Sequence, residues 1–143
     1  MKKLVTSVPT VRASLLLCCS IAVLASSPAM AAVTGHLYVA TTGADSNPGT
    51  QARPLKTIGR ADALARPGYV IHVAPGIYKV SAPSAGNNGI KTIKNGTAAD
   101  RIKFVSDVKW GAKIVMTGTG MAWNSLGNYV DIEGFDVSGS GRL

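Results

Sequence analysis

Tyr38-Val39-Ala40-Thr41-Thr42-Gly43-Ala44-Asp45-Ser46-Asn47-Pro48-Gly49-Thr50 opens the stretch that decides the fold, and Arg66-Pro67-Gly68-Tyr69-Val70-Ile71-His72-Val73-Ala74-Pro75-Gly76-Ile77-Tyr78 closes it. Leu37 and Val39 alternate with Tyr38 and Ala40, which predicts a short strand over 36–41. The cluster from Gly43 to Thr50 is dense in turn formers. Asp45 and Asn47 can bond their own backbone, Pro48 fixes φ, and Gly49 admits a left-handed conformation. Between the two stretches, Pro54 stands where a helix tolerates a missing N–H. Leu55, Ile58, Ala61 and Leu64 recur at helical spacing, with Lys56, Arg60, Asp62 and Arg66 outward. The spacing predicts a helix over 54–66, ended by Pro67-Gly68. Its single apolar stripe would be buried by covering the open end of a stack of strands, which also shields a sheet edge.

Residues 1–31 read as a secretory signal peptide. Lys2, Lys3 and Arg12 form a positive start, Ala13 to Ala25 a short apolar run, and Ala29-Met30-Ala31 a small-residue cleavage site. The run is shorter than the roughly 20 residues that span a bilayer. A secreted or periplasmic location follows, with no membrane association after cleavage. Cys18 and Cys19 both fall in the signal, so the chain from Ala32 onward has no cysteine and its stability rests on packing.

The signal takes three of the 15 basic residues and none of the seven acids, which turns a net charge of +8 into +5 for residues 32–143. The basic residues are scattered, without a block of like charge or interleaved aromatics, which speaks against nucleic acid. A mild positive field suits an acidic polysaccharide.

Downstream, strand candidates lie over 69–74, 77–80, 89–93, 101–106, 112–117, 129–132 and 135–137. They are short, rich in Val and Ile, and bounded by Gly, Asn, Asp or Thr. No helical period falls between the later ones, which speaks against a βαβ sheet. Two architectures remain on periodicity alone, an antiparallel sandwich and a parallel β-helix with coils of about 20–25 residues.

Resemblance separates them. The opening stretch, Arg53-Pro54-Leu55-Lys56-Thr57-Ile58, the segment Arg66 to Val73, Pro75-Gly76-Ile77-Tyr78, and the run from Tyr129 to Gly141 resemble the N-terminal region of pectate-lyase-like proteins, nearest to polysaccharide lyase family 9. The likeness covers most of residues 36–79 and 100–142. It implies an all-β, right-handed parallel β-helix, a single-stranded solenoid with a short N-terminal capping helix, over residues 32–143. It also implies calcium-dependent β-elimination of an acidic polysaccharide such as pectate by a monomeric full-length enzyme. In that chemistry calcium neutralises the uronate carboxylate, and a Lys or Arg removes the proton beside it. Coils carrying an Asp-rich calcium cluster are expected beyond Leu143, so this chain reads as a truncated, inactive N-terminal part. A non-catalytic secreted β-helix with a structural or carbohydrate-binding role is the alternative.

No catalytic residue carries over. Asp131, Glu133 and Asp136 are the one local carboxylate group, with Lys103 or Lys113 as a neighbouring base. Three carboxylates fall short of the six to eight oxygens that calcium takes. His72 has no partner in sequence and reads as a packed or rim residue, and with His36 near the mature terminus no triad assembles. Asn95-Gly96-Thr97 reads as a turn, and Trp110 and Trp123 as packing aromatics that could also meet a sugar.

Overall fold

The computed structural model describes residues 35–82, 84, 86 and 88–139; the predicted signal, residues 1–31, lies outside the described residues. The chain runs through β1 (His36–Val39), α1 (Ile58–Leu64), β2 (Val70–Val73), β3 (Gly76–Ala82), β4 (Asn88–Thr92), β5 (Ile102–Ser106), β6 (Ala112–Gly118), β7 (Met121–Ser125), β8 (Val130–Glu133) and β9 (Asp136–Gly139). The strands form three sheets, ordered β1-β2-β5-β8, β3-β6-β9 and β4-β7. Among the described residues every strand pairing is parallel, which rules out the antiparallel sandwich. The series β2-β3-β4 is laid beside β5-β6-β7, and that beside β8-β9. The protein is therefore mostly β with parallel sheets, an arrangement that fits a β-helix.

Most turns of the chain are longer than expected, although Lys113 faces Asp136 at an offset of 23 residues, inside the expected range. His36 faces Val70, Val70 faces Lys103 and Lys103 faces Asp131, offsets of 34, 33 and 28 residues rather than 20–25. Between β1 and β2 the chain holds α1, and between β2 and β5, and again between β5 and β8, two further strands. One of these strands, β7, was not predicted. Met-Ala-Trp-Asn-Ser has weak strand character. Its conformation comes from pairing with β4, where Ile90 faces Trp123.

Inward side chains stack in rows. Leu37, Ile71 and Phe104 are aligned and buried, and each such burial contributes about 1.5–3 kcal/mol. Tyr78, Ile114 and Val137 form a second row in the next sheet. Trp123 belongs to the same core. It meets Phe104 and Phe135 edge to face and its indole N–H reaches Thr92 Oγ1 at 3.3 Å. Ile132 continues the first row beyond Phe104 but is 41% exposed. The inward–outward alternation is therefore blurred in β8, beyond which no described strand lies.

The predicted helix over 54–66 shortens to Ile58–Leu64. Leu55 instead runs parallel to β1: its N–H donates to the Tyr38 carbonyl at 2.8 Å, and its carbonyl accepts from Ala40 N–H at 2.9 Å. Sheet-edge hydrogen bonds win over helical propensity here. Thr57 becomes the N-cap, its hydroxyl accepting from Arg60 N–H. The turn cluster covers the same edge, since Tyr38 N–H donates to the Gly49 carbonyl at 2.8 Å. Gly49 has φ +82°, and a Cβ there would stand 2.8 Å from a Leu37 methyl. Only glycine combines that conformation with that approach.

Tyr78 ties two sheets together. Its hydroxyl donates to the Ala74 carbonyl at 2.9 Å and approaches the Val39 carbonyl at 3.4 Å. Burial, assisted by the Asp107 charge, pushes its pKa from 10.0 up to about 12. The folded site disfavours the phenolate, so its contribution to stability is full below pH 10 and is lost between pH 10 and about 12. We expect the unfolding free energy from urea denaturation to fall over that interval, by at most about 3 kcal/mol attributable to this group. In Tyr78→Phe that share of the alkaline decline is absent, at the cost of a lower stability near neutrality.

Candidate functional site

An open cleft of about 620 Å³ lies between the start of α1, β3, β4 and the turn after β1. Consecutive residues of β3, Ile77 to Ser81, line it, with Tyr78 buried and Ile77, Lys79 and Ser81 exposed. On β4, Lys91 projects outward between buried Ile90 and Thr92. Lys56 and Arg60 complete the wall from the helix side. Four exposed cations thus face one space, and no carboxylate lines it.

One side chain outside the lining holds that wall in place. Asp45 accepts from the backbone N–H groups of Lys56 (3.0 Å) and Thr57 (2.9 Å) on Oδ1, and from the Thr57 hydroxyl (2.9 Å) on Oδ2. Arg60 Nε donates to the Asp45 carbonyl at 3.2 Å, which aims the guanidinium along the same wall. Asp45 entered the sequence reading as a turn residue bonding its own backbone. It instead caps a segment 11 and 12 residues away. The other end of α1 is pinned by buried Asp62, which accepts from Ile93 N–H at 2.9 Å and Lys94 N–H at 3.4 Å beyond β4.

The carboxylates singled out in sequence are not brought together. Asp131, on β8, takes two hydrogen bonds from the Arg101 guanidinium, one at 2.8 Å. Those bonds hold its pKa below the ordinary carboxylate range and raise that of Arg101. Glu133 is exposed further along β8. Asp136 lies on β9, in a different sheet, in register with Lys113. Lys103 is in register with Asp131. Among the described residues no three His, Cys, Asp or Glu side chains could share a metal ion. As placed, these donors do not fit a calcium shell.

The two histidines depart from the sequence reading. His72 is not alone: its Nδ1 lies 2.9 Å from Asp107 Oδ1 and its Nε2 lies 3.0 Å from His36 Nδ1. Parallel pairing sets β1 and β2 side by side and the turn after β5 carries Asp107, so residues 35 and 36 positions apart meet. Only the register reveals this. The same holds for the cleft cations, which sequence shows merely as scattered. Trp110 is 57% exposed, with Lys109 Nζ 5.5 Å from its ring centre.

A family model described as "Protein of unknown function (DUF1565)" matches residues 41–86, the segment that holds Asp45, α1 and β3. No curated protein matches the chain. Among solved structures, a rhamnogalacturonan lyase is similar, with a TM-score of 0.57 and 22% identity over 71% of this chain and 28% of that one. The fold is therefore one shared with a polysaccharide lyase, and the chain spans about 28% of that lyase's length. Among the described residues no helix is long and apolar enough to cross a membrane.

The cleft wall depends on the Asp45 carboxylate. Asp45→Ala leaves two backbone N–H groups and a hydroxyl without their acceptor, and we expect it to lower the stability measured in urea by about 2 kcal/mol. Asp45→Asn keeps one acceptor oxygen and should lose less. Equal stability of Asp45→Ala and the parent would remove Asp45 from this role.

Proposed function

We propose that the chain is the acidic-polysaccharide-binding part of an exported, pectate-lyase-like protein of right-handed β-helix architecture. The observation that carries this reading is the cleft with Lys56, Arg60, Lys79 and Lys91 around it and no acid in its lining. A uronate polymer presents one carboxylate per sugar along an extended chain, and cations drawn from a helix and two strands match such a repeat as point charges. Threonine and serine hydroxyls at Thr41 and Ser81 add sugar-type hydrogen-bonding groups, and Ile77 and Val80 an apolar floor. Single-stranded nucleic acid would need exposed aromatic faces for base stacking. The one aromatic at the cleft, Tyr78, is buried against the core. The likeness of fold to a rhamnogalacturonan lyase supports a polysaccharide as ligand. The predicted signal over residues 1–31 supports export.

Binding rather than elimination is the role supported for the described residues. β-Elimination asks for a cation cage beside the base, and the carboxylates at Asp131, Glu133 and Asp136 are dispersed over two sheets. This dispersion favours, as a second reading, a non-catalytic β-helix that holds carbohydrate.

Four exposed ion pairs, each contributing up to about 1 kcal/mol, correspond to a Kd on the order of 1 mM for a short oligogalacturonate at low salt. Titration followed by NMR should show saturable shifts at the cleft with oligogalacturonate, weakening as salt is raised, and none with a neutral oligosaccharide of equal length. The double substitution Lys79→Gln and Lys91→Gln should weaken binding about tenfold. Equal binding of the neutral and acidic oligomers would overturn the assignment. Release of an unsaturated product, read by its near-ultraviolet absorbance on incubation with polygalacturonate, would overturn the non-catalytic reading.

A further inference from the structure

The outer face of the β1-β2-β5-β8 sheet carries a second constellation, and none of its residues lines the cleft. Asp107, His72 and His36 form an unbroken chain of hydrogen bonds, 2.9 Å and then 3.0 Å long. The directions follow from the groups themselves. An ionised carboxylate only accepts, so His72 Nδ1 carries the hydrogen it shares with Asp107. A neutral imidazole has one N–H, so His72 Nε2 is bare and accepts from His36 Nδ1–H. The remaining nitrogen of the chain, His36 Nε2, is then an unprotonated acceptor on a solvent-exposed residue. The two imidazole centres are 5.3 Å apart and their facing nitrogens 3.0 Å, so the rings meet edge to edge and in line for proton transfer. Tyr38 lies over His72 at 4.8 Å and 14° and covers one face of the middle ring.

We propose that Asp107, His72 and His36 are a proton relay whose open end, His36 Nε2, serves as general base for a water molecule attacking a small acyl ester. One proton of that water passes to His36 Nε2 as its oxygen bonds to the acyl carbon. The His36 Nδ1 proton moves to His72 Nε2. The resulting cation sits on His72, against the Asp107 carboxylate, which stabilises it and keeps the His72 tautomer without itself taking a proton. The ester C–O bond breaks, the leaving oxygen takes up the proton as the relay returns to its starting form, and ester plus water gives acid plus alcohol. The relay requires no metal and shares no residue with the carbohydrate cleft, so it stands whether or not the cleft binds uronate.

Hydrolysis of p-nitrophenyl acetate by the full chain tests the proposal. Substitutions His36→Gln and Asp107→Asn should each lower the second-order rate constant at least about tenfold, whereas Tyr38→Phe, which keeps the ring, should leave it unchanged. Nitrogen-15 NMR of the parent should show His36 protonated on Nδ1 and bare on Nε2, with that tautomer depleted in Asp107→Asn, a change that a merely structural role for Asp107 would not produce. A rate equal to the parent's in either His36→Gln or Asp107→Asn overturns the proposal. So does a His36 carrying its hydrogen on Nε2, a result readable on the parent chain even if a variant fails to fold.

Discussion

The parallel ladder is the constraint on which the rest depends. In a parallel sheet a strand cannot find its partner across a tight turn. Here each partner lies 23 to 36 residues away, one full turn of the chain later. In-register pairing then forces like positions into rows, so that Leu37, Ile71 and Phe104 build one apolar column while His36, Tyr38 and His72 share the opposite face. The interior and the outward constellations are two sides of one register. A slip by one residue would move the apolar column into water and scatter the histidines.

Much of the strand pattern was legible because Val- and Ile-rich runs bounded by glycine and asparagine carry it locally. Buried strands such as Val70–Val73 and Ile102–Ser106 fall within a residue or two of their predicted limits. What was illegible is what depends on partners. β7 is a strand because Ile90 and Lys91 lie beside Trp123 and Asn124. The first turn of the expected helix is extended because Leu55 completes the β1 edge. The choice between parallel and antiparallel could not come from periodicity, which is two in either case, and rested on resemblance.

The site was less legible than the fold for the same reason. Chemistry-bearing residues were sought as local clusters, and the one found, at Asp131, Glu133 and Asp136, is divided between two sheets with Asp131 committed to Arg101. The groups that converge come from separate turns of the chain. Lys56 and Arg60 show a helical spacing that marks them only as one solvated face. Lys79 and Lys91 join them because β3 and β4 are consecutive sides of one turn. His72 needed a partner from β1 and another from the end of β5. In a stacked architecture, proximity is read across turns, and a search within ten residues misses most of it.

The wet outer end of the first apolar column has a dynamic consequence. Burial declines from Ile71 and Phe104, fully enclosed, to Ile132, which keeps two-fifths of its surface in water. Resistance to local opening follows enclosure. Amide protons of β2 and β5 are thus held longest against solvent, and those of β8 and β9 are released first. His72 lies on one of these slow strands and Asp107 directly after the other, so the middle of the histidine chain rests on the firmest part of the sheet.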